Sequence, residues 1–310
     1  MKAVVTGGAG FIGSNLVDRL VSNGWDVLVV DNLSTGKESN LESALASGRC
    51  RLERADILDL DLHRLMTDFG CEVVFHLAAQ ADVRVSVRDP LADARTNILG
   101  TIACLDAGTK AGCRRFVFAS SGGTIYGEPE EIPVTESHPQ VPLSPYGIAK
   151  KAGHDYLYYY SKVQKLSGVS LALANVYGPR QDPFGEAGVV AILGGVMLAD
   201  EQATLYGDGT QTRDFVYVDD VVDAFILAID HGEAEVLNIG TGKQTRILDL
   251  FAEIARLTDY DKEPYFAPKR TGELMHIALD PSRAKEVLGW APATSLTAGL
   301  AKTIEWLRSR

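Results

Sequence analysis

The fold turns on Thr6-Gly7-Gly8-Ala9-Gly10-Phe11-Ile12-Gly13. This stretch follows the apolar run Ala3-Val4-Val5. It precedes Ile12, Leu16, Val17, Leu20 and Val21, which recur at helical spacing until Gly24 closes the pattern. Strand, glycine turn and helix in that order open a βαβ unit. Gly8, Gly10 and Gly13 satisfy GxGxxG, and Gly7, Gly10 and Gly13 satisfy GxxGxxG. Glycines here permit a sharp turn, a close approach of backbone to a pyrophosphate and close packing of helix on sheet. The helix N-terminus then offers N–H groups and the positive dipole end to the phosphates.

The second apolar run, Asp26-Val27-Leu28-Val29-Val30, ends at Asp31, 18 residues after Gly13. A carboxylate there accepts hydrogen bonds from an adenosine ribose and repels a 2′-phosphate, which favours NAD over NADP. Asp56 and Ile57, after the weaker run at 50–55, are candidate adenine contacts. Further runs occupy 73–77, 115–119 and 169–174, with helical patterns between them. This alternation predicts an α/β protein with a Rossmann-like, doubly wound parallel sheet. Past residue 175, prolines and glycines cluster and the strands shorten. We read 1–175 as the dinucleotide-binding domain, with 212–240 partly returning to it. Residues 176–211 and 241–310 form a smaller C-terminal α/β substrate lobe.

The chain has 310 residues, 46% hydrophobic and 23% charged, which excludes wholesale disorder. Its longest apolar stretch, 188–199, is too short to span a bilayer. The N-terminus reaches glycine before a signal-peptide core could form, so the expected compartment is the cytoplasm. Thirty Lys and Arg against 41 Asp and Glu leave a net charge of −11, which argues against nucleic acid as a partner. Cys50, Cys71, Cys104 and Cys113 lack CxxC spacing and read as buried thiols. The six histidines form no ligand pattern, so no metal is expected.

Chemistry enters at Ser144-Pro145-Tyr146-Gly147-Ile148-Ala149-Lys150. A helix starting near Tyr146 puts Tyr146 and Lys150 on one face. A free phenol, with pKa about 10, is almost wholly protonated at neutral pH. A neighbouring ammonium and a bound nicotinamide cation favour the phenolate, giving a general base suited to an alcohol.

With these blocks the chain resembles the extended short-chain dehydrogenase/reductase family, and within it the nucleotide-sugar branch of the UDP-glucose 4-epimerases. The resemblance runs through 6–14, 31–36, His76-Leu77-Ala78-Ala79-Gln80, Asn97 with Gly100-Thr101, 119–121 and 125–127. It continues through 144–150, Asn175-Val176-Tyr177-Gly178-Pro179-Arg180, Thr212-Arg213-Asp214, 238–242 and Arg270-Thr271-Gly272-Glu273.

The resemblance implies an isomerase with bound NAD that inverts C4 of a UDP-hexose through a transient 4-keto sugar. UDP-glucose and UDP-galactose are the expected pair. UDP-GlcNAc and UDP-GalNAc join them if Ile277 lines the sugar pocket rather than packing a strand. Tyr146 is the implied base, Lys150 its partner and Ser121 the sugar-hydroxyl contact, with Ser120 and Thr124 as alternatives. For the cofactor it implies Gly7, Gly10, Phe11, Ile12, Gly13, Asp31, Asn32, Ser34, Thr35, Gly36, Asp56 and Ile57. Leu77, Ala78, Ala79, Gln80, Asn97, Tyr146, Lys150 and Val176 complete that set. For the substrate it implies Ser86, Ser121, Tyr146, Asn175, Val189, Val190, Tyr206, Arg213, Arg270 and Glu273, although the family more often has Asp at the last.

Rival readings are a 4,6-dehydratase, a UDP-glucuronate decarboxylase and a non-catalytic NAD-binding regulator. Gly122-Gly123-Thr124-Ile125 stands where dehydratases carry an Asp-Glu pair, and both Tyr146 and Lys150 are present. Relatives pair the helical stretches near 93–111 and 147–161 between subunits, so the resemblance implies a homodimer through a four-helix bundle, and Tyr156, Tyr158, Tyr159 and Tyr160 suit such an interface.

Overall fold

The computed structural model describes residues 1–183, 188–269 and 274–310. The first half alternates strands and helices: β1 (Lys2–Thr6), α1 (Phe11–Ser22), β2 (Asp26–Asp31), α2 (Glu42–Ala46), β3 (Cys50–Arg54), α3 (Leu62–Phe69) and β4 (Val73–His76). There follow α4 (Val83–Arg88), α5 (Pro90–Ala94), α6 (Gly100–Lys110), β5 (Arg115–Ser121), α7 (Gly122–Ile125), α8 (Pro145–Lys162), β6 (Gly168–Leu173) and β7 (Asn175–Tyr177). The remainder is α9 (Val189–Leu198), β8 (Thr204–Tyr206), β9 (Thr212–Arg213), β10 (Phe215–Tyr217), α10 (Val218–Leu227), β11 (Val236–Ile239), β12 (Thr245–Arg246), α11 (Ile247–Thr258), β13 (Tyr265–Ala267), α12 (Ser282–Leu288) and α13 (Leu296–Arg308).

Seven strands form one sheet in the order β3-β2-β1-β4-β5-β6-β11, every neighbouring pair parallel. This is the doubly wound α/β arrangement the strand–helix alternation predicts. Successive side chains along a strand point to opposite faces, and both faces are apolar. Ala3, Val5, Val27, Val29, Val73 and Phe75 pack with α1 and α10 on one side. Val4, Leu28, Val30, Val74, Phe116 and Phe118 pack with α3, α6 and α8 on the other. The strand order reverses between β1 and β4, and an open α/β sheet forms its ligand crevice at such a switch point, outside the strands' carboxyl ends.

A third apolar cluster joins α9, α11 and α13 around Tyr177, Phe215 and Tyr217. Three short pairs, β7 with β10, β9 with β12 and β8 with β13, accompany it. Asp214 sits between β9 and β10, 1% exposed. It accepts hydrogen bonds from the backbone N–H groups of Thr241, Gly242 and Leu279, tying this region to the turn after β11. Among the described residues, no helix is long and apolar enough to cross a membrane.

The stretch near 93–111 is not one regular helix. Between α5 and α6 the chain winds through a π-helical turn at Arg95–Leu99. Such turns often mark functional positions, because the extra residue re-aims the side chains around it.

Candidate active site

The glycine turn behaves as its spacing requires. Gly7 has φ +70°, and a Cβ there would lie 2.6 Å from the Ala78 nitrogen. A Cβ on Gly13 would lie 2.2 Å from the Gly7 carbonyl oxygen, so only glycine lets α1 sit this close to the turn. The N-cap, Gly10, supplies no side-chain acceptor, and the first turn of α1 holds no acid. Its leading N–H groups therefore remain available to an anion. Phe11 and Ile12 begin that helix and pack against the third cluster.

Asp31 ends β2 beside this turn and is buried. Its Oδ2 accepts from the Ala9 N–H at 2.9 Å and its Oδ1 from the Leu33 N–H at 2.8 Å. Each oxygen keeps a lone pair for a ribose hydroxyl, so the donor set fits an adenosine ribose. The loop after it is self-braced. Asn32 accepts from the Ser34 N–H and donates to Asp56, which also accepts from the Leu58 N–H. Ser34 and Thr35 are exposed, Gly36 packs on Ala9 and Asp31, and Ile57 is buried against Gly100. Loops at 31–36 and 56–57 thus flank one wall of the crevice.

The opposite wall follows β4. Leu77, Ala78 and Ala79 are half-buried. Gln80 and Asn97 hold each other: the Gln80 N–H donates to Asn97 Oδ1 at 3.0 Å, and Asn97 Nδ2 donates to the Gln80 carbonyl at 2.9 Å. Both side chains also donate to Asp93 Oδ1, at 3.1 and 2.8 Å. Asp93 escapes sequence reasoning. It is 1% exposed, its Oδ2 has no hydrogen-bond partner among the described residues, and burial pushes its carboxyl above the usual carboxylate range. Behind this wall His76 bridges Thr6 (2.7 Å) and Thr101 (3.0 Å). Burial, then the Lys150 charge, hold it down to about 3, so it is a neutral structural link.

Tyr146 and Lys150 lie on α8, whose start is set by Ser144 capping the Gly147 N–H at 3.1 Å and by Pro145 in its first turn. Gly147 is required because a Cβ would lie 2.6 Å from the Thr124 carbonyl oxygen. The Lys150 ammonium donates to the Ala119 carbonyl at 3.0 Å and lies 5.6 Å from the Tyr146 ring centroid. Burial pulls it down to about 8, against the opposing field of Asp93. Burial pushes the Tyr146 phenol up, a hydrogen bond with Ser121 pulls it down, and Asp93 raises it. The lowered phenol that the Tyr–Lys spacing suggested is not the state of the ligand-free chain, because desolvation outweighs the local bond. Of the three candidate hydroxyls, Ser121 meets Tyr146. Ser120 faces His154, and Thr124 points back to the Ser121 carbonyl.

Beyond the sheet, Asn175 and Val176 lie on β7, paired with Phe215 and Val216. Val189 and Val190 open α9, which starts at Gly188 with neither a side-chain cap nor an acid in its first turn. Tyr206 on β8 is exposed, and Arg213 on β9 is half-buried. Ser86 is fully buried and donates to the Val83 carbonyl at 2.6 Å, so toward a ligand it offers only an acceptor. Arg270 and Glu273 lie outside the described residues. Ile277 is 2% exposed among Ile125, Tyr126, Val134 and Leu279. It packs a core, and the wider sugar range read from its size has no basis in this packing. A separate cavity of about 500 Å³ adjoins Arg114, Arg115 and Gly232 near the opposite ends of the strands. Arg115 there donates to the Ala228, His231 and Gly232 carbonyls and to Ser167, which makes it a structural clamp.

The profile of the NAD dependent epimerase/dehydratase family matches residues 3–240. The chain is 48% identical over 311 residues to a UDP-glucose 4-epimerase from Mycolicibacterium smegmatis, covering 100% of this chain and 99% of that one. It superposes on a UDP-glucose 4-epimerase from Thermotoga maritima, solved with UDP-glucose, at TM-score 0.96 and 48% identity, covering 100% and 99%. A UDP-glucose 4-epimerase from Thermus thermophilus in complex with NAD matches at TM-score 0.92 and 40% identity, with 99% of each chain covered.

The cradle makes one direct prediction. Gly13→Ala forces Cβ into the Gly7 carbonyl and should abolish retention of NAD, read as nucleotide released on denaturing the purified protein. Retention equal to the unmodified chain would show that the turn does not hold the pyrophosphate.

Proposed function

Because the chain belongs to the NAD dependent epimerase/dehydratase family, we propose that it epimerises a UDP-hexose at C4, as the UDP-glucose 4-epimerases do, through a transient 4-keto sugar. The observation that carries this reading is Tyr146, beside Ser121 and one helical turn from Lys150, at the edge of a dinucleotide cradle. NAD when bound supplies the reversible hydride acceptor at C4.

Gly7, Gly10, Phe11, Ile12 and Gly13 hold the pyrophosphate, and Asp31 the adenosine ribose. The loops 32–36 and 56–57 flank the adenine, and Leu77, Ala78, Ala79, Gln80, Asn97 and Val176 line the remainder. Tyr146 takes the proton from the sugar O4 as the ketone forms and returns it as the alcohol re-forms, so one phenol serves both halves. In the ligand-free chain Tyr146 keeps its proton until positive charge arrives beside it. Its place in the first turn of α8 favours the phenolate by about 0.3–1 kcal/mol, too little alone to offset burial. Lys150 binds the nicotinamide ribose, and Ser121 steadies the sugar hydroxyl. Asn175, the start of α9 at Val189 and Val190, Tyr206, Arg213, Arg270, Glu273 and Ser86 form the nucleotide-sugar clamp. Arginine suits the diphosphate because its planar fork donates in pairs.

UDP-glucose and UDP-galactose are the proposed pair. The sequence of α7 disfavours dehydration, because Gly122 and Gly123 supply no acid after Ser121. Glu136, a half-buried acid on the loop that follows, accepts from the Asn238 N–H. The four buried thiols suit a reducing compartment such as the cytoplasm.

Incubating the purified holoenzyme with UDP-galactose and no added reductant should yield UDP-glucose. Tyr146→Phe should lower kcat by about a thousandfold with little change in KM. No conversion even with NAD supplied would overturn the reading. Asp93→Asn gives a pH test. The acid limb of kcat follows loss of the Tyr146 proton, and the alkaline limb loss of the Lys150 proton. Asp93 raises both groups, so removing its charge should move both limbs to lower pH. A drop in rate with both limbs fixed would show that Asp93 acts only as a brace.

A homodimer fits the exposed apolar face shared by α4, α5 and α8. Val87, Leu91, Ile148, Tyr158 and Val163 are each more than half exposed there, with Tyr156 and Tyr159 beside them, while Tyr160 turns inward onto the core. Sedimentation equilibrium should return twice the 33.4 kDa chain mass, and a monomer at micromolar concentration would remove the proposal.

A further inference from the structure

Three residues one turn apart on α8 reach the last three residues of β5. Tyr146 faces Ser121, whose hydroxyl favours its ionised form, Lys150 donates to the Ala119 carbonyl at 3.0 Å, and His154 Nε2 lies 2.5 Å from Ser120 Oγ. The third of these has no part in the reaction as proposed. His154 is 6% exposed, against the edge of the Phe118 ring. The helix can come this near only because position 153 is glycine, whose Cβ would lie 2.6 Å from Phe118.

The protonation state follows from the surroundings. Burial, with the Lys150 and Lys151 charges, holds His154 down to about 3, so the ring is neutral. The Gln140 amide presents its oxygen 3.4 Å from Nδ1, which places the ring hydrogen there. Nε2 then accepts from the Ser120 hydroxyl. Gln140 belongs to the loop that leads into α8, so one neutral ring joins the β5 terminus, the helix and that loop. A core-filling side chain would need none of these polar partners, and each would be left unsatisfied if the ring were apolar.

Resting on the reaction proposed above, we propose that His154 is a positioning residue: through Ser120 it fixes the end of β5 against α8 and so sets the separation of Ser121 from Tyr146. Strand geometry carries the constraint, because Ser120 and Ser121 are successive residues and cannot move independently. A small slip of the strand end opens the bond to the phenol, and misplacements of this kind cost rate rather than affinity.

The test uses NAD-loaded protein with His154→Leu, Ser120→Ala, both together, and His154→Gln, whose amide reaches where Nε2 does. Each single change should lower kcat for UDP-galactose about tenfold, with KM and bound NAD unchanged. The double variant should fall no further, since both changes break one bond. His154→Gln should recover most of the rate. A folded Ser120→Ala or His154→Leu at full kcat, or losses that multiply in the double variant, would overturn the proposal.

A second readout needs no sugar. The charged and polar groups acting on the Tyr146 phenol are Lys150 on its own helix, Asp93 from α5 and Ser121 from β5. Tyrosinate absorbance, with Tyr146→Phe as baseline, should show ionisation of Tyr146 moving to higher pH in His154→Leu and Ser120→Ala, because the Ser121 bond favours the phenolate. An unmoved titration would equally overturn the proposal. Should the unmodified enzyme leave UDP-galactose unchanged, the reaction reading fails, and the titration still decides the role of His154.

Discussion

A sheet whose strands all run parallel has one edge at which every strand ends. Everything chemical in this molecule follows from that constraint. Thr6, Asp31, His76 and Ser121 close β1, β2, β4 and β5, and they come together although 115 positions separate the first from the last. The hydrogen-bond registers fix their relative heights, with Thr6 opposite both Val30 and His76. Helices cover both faces, so polar residues gather at the strand ends, where they do not disturb the valine-rich core. The switch between β1 and β4 parts the covering helices there and leaves the crevice.

The second governing effect is desolvation. Tyr146, Lys150, His76, His154 and Asp93 are all buried, and burial drives each toward its neutral form. Local hydrogen bonds resist this only partly. The ligand-free site therefore holds Tyr146 and both histidines neutral around the Lys150 ammonium, and one added positive charge changes the balance for several groups at once. Low dielectric makes that charge act more strongly than it would in water. A base that waits for its cofactor cannot misfire on solvent, and its geometry is already fixed by α8 and β5.

Sequence reading recovers what depends on local order. The glycine turn, Asp31 at the end of its strand and the Ser144-Pro145 start of α8 each follow from neighbouring residues, and the parallel sheet follows from alternation. Contacts set by tertiary register were not legible. Asp93 is found only because the π-helical turn and Gln80 bring it under Asn97. Ser120 and Ser121 are indistinguishable as letters, and the pleat alone sends one to His154 and the other to Tyr146. His154 did leave a signal, since it continues the Tyr146 and Lys150 spacing by one more turn. Which of the two readings open at Ile277 holds is not legible either, because a count across a loop gives no information about which side of the chain faces the core. The strands β8, β9 and β10, of two and three residues, are too short to show a period.

The net charge of −11 poses a last question, since a nucleotide sugar and a dinucleotide bring several phosphates into an acidic protein. Bulk field cannot attract them, so the attraction has to be local. Five helices satisfy their first N–H groups through a side chain, of Asp61, Asp82, Asp89, Ser144 or Ser295. Helices α1 and α9 begin at Gly10 and Gly188, and among the described residues neither has a capping side chain or an acid in its first turn. Leaving such N–H groups uncapped costs about 1 kcal/mol at each end. An anion at either end would complete the cap and offset that cost. Backbone dipoles fall off within a turn, so they bind phosphate without making the surface basic. An acidic protein can hold two diphosphates in this way while its exterior still repels nucleic acid.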